Sequence, residues 1–489
     1  MHANTPHSIC RFGIARGDIT PPVGIYHRMW GAATHDRSTG VHRPLTATAV
    51  VLQAADADSS TEPGDEREQV ILAVDHCLLW PREMDDLLAA IERGSGTPRA
   101  RIVVTFSHTH SAGLMGLERS SLPGGELIAP YLKSLGETCA VLVREARAAV
   151  EPATIVYGHG RCDLAANRDH WDAESGQYVC GYNPGGPADD TVLAARVTDE
   201  AGGLLATLVN YACHPTTLAW QNTLIGPDYP GAMRETVERA TAAPCVFLQG
   251  ASGDLGPREG YVGEPEVADR NGRQLGYAAL SVLEGLPRPR TVFEYAGPVV
   301  SGATLGAWAH RPMDDGERRR AAEWQIRRFT VPLAWREGVN DRQAALRERD
   351  ECRRRELGAA EGGDAAALRD ARALAERAER KLVRIDTLPP GATFDYPITL
   401  ARLGDAWWLA VEGEPYNVLQ RELRRRLVPA PLIVMALANG SRPAYLPPAE
   451  LYGRGVYQET IALLAPGALE RLVEEIAGSL NPPSGFECS

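Results

Sequence analysis

The sequence predicts an α/β fold in which mixed β-sheets flanked by helices form one large domain with an α-helical insertion. Short apolar β-type runs alternate with amphipathic helical patterns over residues 1–310, a charged helix-forming segment covers residues 311–390, and strand patterns return over residues 391–489. A chain of 489 residues can bury a large core without disulfides. We therefore predict a main domain, divided between residues 1–310 and 391–489, and an insertion at 311–390.

In the first part of this domain, strands are predicted at runs of β-branched and other apolar residues, namely 46–52, 69–74, 101–105, 153–157, 192–197, 204–211 and 244–248. Helices are predicted where apolar residues recur at spacings of three and four, at 82–93 and 129–150. Residues 56–68 are polar and acidic, which indicates a surface loop between two strands.

The insertion is dense in Arg, Glu and Ala, which favours helices with interleaved charges, and the glycines within residues 358–363 predict a turn between two of them. It is either a solvated helical hairpin packed on the main domain, or a lid or oligomer contact beside an active site. After it, we predict strands at 398–403, 407–411 and 432–437, helices at 414–427 and 469–479, and a proline-rich turn at 443–448.

Composition argues against several classes of partner. The net charge is −12, from 51 basic and 63 acidic residues, which disfavours nucleic-acid binding, and no apolar run is long enough to span a membrane. The nine cysteines are widely spaced without a CxxC pair, which predicts free thiols. The N-terminal residues lack the features of a signal peptide, so we expect a cytoplasmic protein. Homo-oligomerisation is left open.

Two histidine motifs follow predicted strands. The first is SHTHS at residues 107–111, in which His108 and His110 point the same way if the chain is extended. Such a pair at a strand end suits either a divalent metal or a hydrogen-bonded structural role. The second is CHPT at residues 213–216, where His214 ends a strand and Pro215 prevents its continuation. A lone strand-end histidine is more often structural, but two such sites strengthen the metal interpretation.

A third motif is the loop QGASGDLGPR at residues 249–258, whose three glycines allow a close backbone approach to a ligand. The simpler alternative is a turn in which Asp254 acts as a capping residue. The loop is not a phosphate-binding P-loop, because no Gly-Lys-Ser/Thr follows. Near the C-terminus, Glu412 and Glu414 end a strand and Tyr445 lies in a later loop. Without further context these are more simply helix-capping acids and a packed tyrosine.

In their order along the chain, these motifs resemble those of the neutral ceramidase family, the neutral/alkaline, non-lysosomal type, in its N-terminal catalytic domain. The matching elements are GIARGDIT (13–20), GVHRPL (40–45), SHTHS (107–111), NR (167–168), CHPT (213–216), GPDYPG (226–231), GD (253–254), GE (413–414), and Tyr445 with ELY (450–452). No single motif is decisive, but the ordered set is specific and covers nearly the whole chain.

The resemblance implies a zinc-dependent amidohydrolase that cleaves an amide C–N bond by means of metal-bound hydroxide. The ligands that it implies for one Zn²⁺ per chain are His108, His214, Glu414 and Tyr445. The catalytic residues that it implies are His110, Arg168 and Asp254. His110 would support the ligands or shuttle a proton, Arg168 would face the developing oxyanion, and Asp254 would assist orientation or proton transfer. The predicted substrate-binding residues are Asn167, Ser252 and Arg258.

The chain departs from the family where its ceramidases carry a serine within a GDxSPN motif. Gly256 stands at that place here, and Arg258 replaces the asparagine. Ser252 could substitute only from another point of the loop, which favours attack by hydroxide. The family's secreted ceramidases also have a signal peptide and a C-terminal immunoglobulin-like domain, which we expect this chain to lack. We therefore predict that the substrate is a smaller, more polar amide or ester. Arginines of the protein would bind a carboxylate of this substrate.

Two alternatives remain. The same metal site could serve an esterase, a lactonase or an acyl transferase. From another class, the fold could be a non-catalytic binding or assembly module. The missing serine slightly favours the module, whereas the presence of all four candidate ligands disfavours it.

Overall fold

Two β-sheets packed face to face organise the fold, which a computed structural model describes over residues 2–3, 5–57 and 65–480. One sheet has eight strands and the other has four, and side chains of both fill the space between them. Helices cover the outer face of each sheet, so the layers run helix, sheet, sheet, helix. The predicted fold class of mixed sheets flanked by helices is confirmed.

The eight-stranded sheet is antiparallel in its middle and parallel at both edges. In spatial order its strands are Cys245–Gln249, Leu204–Tyr211, Thr191–Asp199, Glu151–Arg161, His7–Asp18, Thr46–Ala54, Glu68–Val74 and Ile102–Phe106. Side chains alternate between its faces: Val50 and Leu52 point to the other sheet, whereas Ala49 and Val51 point to the helices. Because both faces are covered, these strands are apolar at almost every position.

The four-stranded sheet consists, in spatial order, of Trp324–Ala334, Thr393–Leu403, Ala406–Val411 and Leu432–Met435. Its last two strands are parallel and the others antiparallel. Trp408 and Met435 pack against the large sheet, while Leu409 and Val434 pack against helices on the opposite face.

The helices that cover the large sheet are Pro81–Ser95, Ile128–Ala148, Tyr229–Thr241 and Pro265–Glu284, and those that cover the small sheet are Val418–Leu427 and Ala468–Leu480. One of them approaches a strand very closely. A Cβ atom on Gly13 would lie 2.0 Å from the carbonyl oxygen of Ala146, so only glycine allows helix Ile128–Ala148 to pack at this distance.

The two edge strands of the large sheet approach each other, and the segment after Leu432–Met435 connects them. The amide of Ala436 donates to the Gln249 carbonyl at 3.0 Å, while Thr105 Oγ1 donates to the Ala436 carbonyl at 3.1 Å. Asn439 then bonds both backbone groups of Val104, donating from its amide at 2.8 Å and accepting on Oδ1 at 2.7 Å. The loops that follow opposite edges of the sheet are therefore held at one place.

Between Trp324–Ala334 and Thr393–Leu403 the chain leaves the small sheet and forms helices Arg342–Gly362 and Ala365–Asp386, hereafter the charged hairpin. The helices begin at capping aspartates, since Asp341 accepts from the Ala344 amide and Asp364 from the Ala366 amide. The predicted insertion at 311–390 thus also contains strand Trp324–Ala334, which the sequence analysis included in the helix-forming segment. The division into domains itself stays a prediction.

The remaining elements are short. Thr291–Ser301 and Ala303–Pro312 form an exposed hairpin that pairs with His2–Ala3. The two-stranded pairs are Asp169–Asp172 with Gln177–Cys180, Gly40–Val41 with Leu224–Ile225, Ala165–Asn167 with Leu255–Pro257, and Glu414–Pro415 with Tyr445–Leu446. The short helices and 3₁₀ turns are Arg99–Arg101, Leu117–Arg119, Gly125–Leu127, Asp315–Ala321, Ala449–Leu451 and Tyr457–Ile461.

Most predicted elements match observed ones to within a few residues. The predicted helix at 414–427 begins only at Val418, and the predicted turn at 443–448 contains a short strand, because Glu414–Pro415 pairs with Tyr445–Leu446. The predicted loop at 56–68 falls largely on residues 58–64, outside the described residues. Eight cysteines are free thiols, as expected, and Cys488 lies outside the described range. Within that range, no helix is both long and apolar enough to cross a membrane.

Candidate metal centre

Three of the four predicted ligands meet where strands of both sheets end. His108 follows strand Ile102–Phe106, His214 follows Leu204–Tyr211, and Glu414 follows Ala406–Val411. Glu414 Oε2 lies 3.2 Å from His108 Nε2 and 3.0 Å from His214 Nε2. One ligand atom from each residue lies within 4.8 Å of the other two. The sequence analysis could place the histidines at strand ends, and the structure shows that these ends coincide.

Both histidines present the same nitrogen to this centre. His108 Nδ1 lies 2.7 Å from the Cys77 carbonyl, and His214 Nδ1 lies 2.7 Å from the Ser252 carbonyl. A ring nitrogen facing a carbonyl carries the proton, so Nε2 of each neutral ring keeps a lone pair. Backbone carbonyls commonly hold metal-binding histidines in this way.

His108 has a positive φ of 67°, which is uncommon for a residue other than glycine. Such a conformation costs about 1–3 kcal/mol, and the surrounding structure must enforce it. Here the amide of His108 donates to the His76 carbonyl at 2.9 Å, which fixes the turn at the strand end. The turn directs the imidazole towards His214, with 4.6 Å between the two ring centroids.

Tyr445, the fourth predicted ligand, lies next to Glu414 through the short parallel pair Glu414–Pro415 and Tyr445–Leu446. Its hydroxyl oxygen is 3.3 Å from His214 Nε2 and accepts a hydrogen bond from Arg168 Nη2 at 3.1 Å. The same Nη2 donates to the Gly253 carbonyl at 2.7 Å. The structure therefore brings all four predicted ligands together, with Arg168 at their side.

The charges of the centre favour an ionised carboxylate. Burial would raise the pKa of Glu414, but the two histidines hold it well below its usual range. Burial and the charge of Arg168 lower the pKa of His214 to about 3. Burial also acts to lower the pKa of His108, but Cys77 and Glu414 raise it well above its usual range. A divalent cation would displace the proton of His108, because histidine binds metals in its neutral form.

His110 lies beside the ligands without being one of them. Its ring centroid is 4.9 Å from that of His108, and both of its ring nitrogens are buried without a hydrogen-bond partner among the described residues. Burial and the neighbouring histidines lower its pKa well below the usual range, so the ring is neutral. A buried imidazole with two unpaired nitrogens is available to a substrate or to water.

The three predicted substrate-binding residues differ in their distance from the ligands. Ser252 is in contact, since its Oγ is 3.3 Å from His214 Nδ1 and accepts from Gln249 Nε2 at 2.7 Å. Asn167 supports the loop beneath Arg168, accepting from the Asp169 amide at 3.0 Å. Arg258 is engaged elsewhere, because its half-exposed guanidinium pairs with Asp163 at 3.0 Å. The structure thus gives no support to a substrate contact by Arg258.

Asp254 faces away from the four ligands. Its Oδ1 accepts from the amide of Asn417 at 2.7 Å, and its backbone carbonyl accepts from the amide of Arg168 at 3.0 Å. Burial raises the pKa of its carboxyl to about 6. It lines a separate cavity of about 590 Å³, which Asn167 also lines. This placement matches the capping alternative of the sequence analysis, with Asp254 holding the start of helix Val418–Leu427.

The sequence analysis missed an aromatic group beside His110. The ring centroid of Trp30 lies 5.2 Å from that of His110, 5.6 Å from that of Tyr261 and 6.4 Å from that of Trp220. These rings come from three separate loops, so no local pattern could have associated them.

Cys77 was also missed. Its thiol is 3.6 Å from His108 Nδ1, and a set of Cys77, His108 and His110 would also be close enough for a metal ion. The His108, His214 and Glu414 set fits better, because His108 Nδ1 is already committed to the Cys77 carbonyl whereas Nε2 faces Glu414 Oε2 at 3.2 Å. Two imidazoles and a carboxylate are a donor set suited to a divalent transition-metal ion. The residues present therefore fit such an ion.

The comparisons with known proteins agree with the predicted resemblance. No family model matches the chain. Its sequence is similar to the neutral ceramidase of Pseudomonas aeruginosa, with 23% identity over 257 residues. The aligned part is 50% of this chain and 37% of the ceramidase, so the chain matches little more than a third of that protein's length.

Two solved structures have a similar fold. The crystal structure of neutral ceramidase from Pseudomonas aeruginosa matches with a TM-score of 0.62 at 15% identity. A ceramidase complexed with C2 matches with a TM-score of 0.64 at 16% identity. Each match covers 97% of this chain and 74% of the other. The resemblance to neutral ceramidases predicted from the ordered motifs is confirmed, and the shared fold extends over nearly the whole chain.

Proposed function

We propose that this chain, a relative of neutral ceramidases in sequence and fold, is a zinc-dependent amidohydrolase that cleaves an amide C–N bond. One observation carries the proposal: Nε2 of His108, Nε2 of His214 and Oε2 of Glu414 converge, and both histidines bond backbone carbonyls through Nδ1. A purely structural cluster has no need for two imidazole lone pairs directed at one carboxylate. The Tyr445 hydroxyl beside them completes a four-ligand set.

When bound, zinc would act as a Lewis acid that activates water and polarises the carbonyl of the scissile amide. Arg168 supplies a buried positive charge at the same place, since its Nη2 is 3.1 Å from Tyr445 Oη and 3.3 Å from His214 Nε2. This charge is positioned to stabilise negative charge that develops on the carbonyl oxygen. Its position depends on the Gly253 carbonyl, to which the same Nη2 donates at 2.7 Å.

His110 is the group best placed to move a proton. Its neutral ring can accept a proton from the attacking water at one nitrogen and return it to the leaving amine. Asp254 acts through Arg168 instead, because its backbone carbonyl accepts from the Arg168 amide and its carboxylate holds the Asn417 amide. We therefore assign Asp254 a positioning role.

Elemental analysis and a hydrolysis panel test the proposal together. We expect about one zinc per chain in wild type, and its loss in His108→Ala and His214→Ala. His170→Ala, at an exposed histidine, is the matched control and should keep the zinc. Full zinc content in both ligand variants would reject the assigned centre, and a folded, metal-free wild type would favour a binding module.

The panel should contain ceramides, N-acyl amino acids, lactams and lactones, each with zinc-loaded and chelator-treated protein. We expect zinc-dependent hydrolysis of amides that are smaller and more polar than ceramide, because Gly256 replaces the family's serine. Robust turnover of ceramide with no activity on polar amides would reject the polar substrate. Turnover of lactones or esters alone would replace the amidase with an esterase or lactonase.

A further inference from the structure

The second helix of the charged hairpin, Ala365–Asp386, packs over the loops that surround the metal centre. Glu376 accepts from Arg28 Nε at 2.7 Å, and Arg372 Nη2 donates to Asp36 at 2.6 Å. Both partners belong to the loop that carries Trp30, the aromatic neighbour of His110. The helix is therefore fixed beside the proposed active site by charged contacts.

Two arginines of this helix, Arg380 and Arg384, are four residues apart and lie on the same helix face. Among the described residues, no carboxylate lies within ion-pair distance of either. Arg384 packs its guanidinium on the ring of Trp80, with 5.3 Å between Cζ and the ring centroid, and its Nε is buried without a hydrogen-bond partner. Most other arginines of the hairpin pair with an acid, as Arg342 does with Asp386 at 2.6 Å.

The carboxylates of Glu376 and Glu414 already have partners. Glu376, one turn before Arg380, is shared by Arg28 and Arg372 through Oε1, at 2.7 and 3.1 Å. Glu414 is engaged by both histidines of the metal centre. Burial lowers the pKa of Arg380, and the positive charge of Arg119 also acts to lower it. The helix face thus carries two positive charges with no free partner in the described protein.

The same helix reaches the segment beside Tyr445, where Arg377 Nη2 donates to Thr460 Oγ1 at 3.0 Å. The ring of Tyr457, three residues before Thr460, lies 6.0 Å from that of Tyr445, and Tyr457 is 43% exposed. The helix that carries Arg380 and Arg384 therefore packs beside a segment in contact with a predicted metal ligand.

We propose that Arg380 and Arg384 bind a carboxylate of the substrate, so that the substrates of this enzyme are anionic amides of the N-acyl amino acid class. This inference rests on the proposed amidohydrolase function and adds a binding site to it. It also moves the carboxylate-binding role from Arg258, which pairs with Asp163 at the surface, to the charged hairpin.

The physical argument is that an unpaired, partly buried guanidinium is costly unless an anion arrives to pair with it. Two guanidinium groups one helical turn apart offer parallel N–H donors, which suit the two oxygens of a carboxylate. Trp80 holds Arg384 in place through a cation–π contact, which lowers the entropy cost of binding. A neutral lipid amide such as a ceramide would leave both charges unpaired.

Two amides that differ only in the carboxylate provide the test. The first is N-acetyl-L-phenylalanine, and the second is N-acetylphenethylamine, which has the same amide and aromatic ring but no carboxylate. For wild type, kcat/KM should be higher for the anionic compound. Arg380→Gln/Arg384→Gln should remove the preference through a KM about tenfold to hundredfold higher for the anion, with little change for the neutral amide.

Arg369→Gln is the matched control, since Arg369 lies on the same helix but pairs with Asp370 in solvent. Arg380→Gln alone is measured as well, because it leaves the contact between Arg384 and Trp80 intact if the double variant is unstable. Equal loss for both amides, or an unchanged preference in a folded double variant, would overturn the carboxylate site.

Equilibrium binding of the same two compounds to metal-free protein separates this inference from the proposed function. Wild type should bind N-acetyl-L-phenylalanine more tightly than the neutral analogue, and the double variant should bind both equally. If no amide is hydrolysed but this difference in binding remains, the amidohydrolase proposal fails and the carboxylate site stands. If amides are hydrolysed without any preference in binding or KM, the carboxylate site fails alone.

Discussion

His108 follows one edge strand of the eight-stranded sheet and His214 follows the strand next to the opposite edge, yet the centroids of their imidazole rings lie 4.6 Å apart. The segment that follows strand Leu432–Met435 makes this possible, because it bonds both Val104 and Gln249, which belong to the two edge strands. The candidate metal centre thus depends on the segment that connects the two sheet edges, and several loops contribute to it.

Tyr445→Phe tests the tyrosine as a ligand. The substitution keeps the ring and removes only the hydroxyl, which lies 3.3 Å from His214 Nε2. We expect zinc affinity to fall by about tenfold or more, with the fold retained. Competition with a chelator of known affinity measures this. An unchanged zinc affinity would remove Tyr445 from the ligand set and leave a three-residue site.

Arg168 and Arg258 should respond differently to substitution by glutamine. Arg168 is buried and its Nη2 bonds both Tyr445 and Gly253, so Arg168→Gln should lower kcat/KM by about 10²–10³-fold. Arg258→Gln should leave kcat/KM unchanged, because its partner is the exposed Asp163. Steady-state kinetics on the same amide compares the two. A large loss in the Arg258 variant would return that residue to the substrate site.

Gly256→Ser should be accepted by the fold. A Cβ on Gly256 would lie 3.6 Å from Thr216 Oγ1 and 3.8 Å from Arg168 Cδ, which are ordinary van der Waals distances. We expect the free energy of unfolding to change by no more than about 0.5 kcal/mol, as measured by denaturant titration. A loss of several kcal/mol would mean that the loop cannot hold the serine of the ceramidases.

Asp228→Asn should alter how stability depends on pH. Burial raises the pKa of Asp228 to about 6, although the amides of Leu218 and Tyr229 donate to it. A folded pKa above the unfolded value of about 4 means that this group stabilises the fold at low pH, and that the contribution is lost as pH rises from about 4 to 6. The asparagine variant should lack that slope, whatever its absolute stability. Denaturation at several pH values measures it, and equal slopes would contradict the raised pKa.

Sequence patterns predicted most strands of the two sheets, because the apolar runs of these strands are short and bounded by turn residues. They failed at His7–Asp18, where Gly13 and Gly17 interrupt the apolar pattern. Gly13 is required by the close approach of helix Ile128–Ala148, a tertiary contact that local propensity does not express. Trp324–Ala334 was missed for a related reason, since its two arginines resemble the charges of the helices that follow.

The residues of the candidate site also differ in whether the sequence could predict them. His108 and His214 could be proposed from their positions after strands, whereas Glu414 and Tyr445 depended on the resemblance, because a carboxylate and a tyrosine in loops are common without a metal. Arg258 was predicted to bind substrate because it stands where the family's motif has an asparagine and because arginine suits a carboxylate, but its half-exposed guanidinium pairs with Asp163. Arg380 and Arg384 could not be found, since which face of a charged helix meets the main domain is decided by packing.

The charged hairpin leaves the small sheet after Ala334 and returns at Thr393, and these two residues are paired partners in adjacent antiparallel strands. The chain could therefore close that gap with a tight turn without changing the register of any strand. In evolutionary terms, the candidate metal centre and the element proposed to select substrates are encoded on separable stretches of the gene. A relative could acquire a new substrate range by exchanging the hairpin alone, while every strand end that carries a predicted ligand stays as it was.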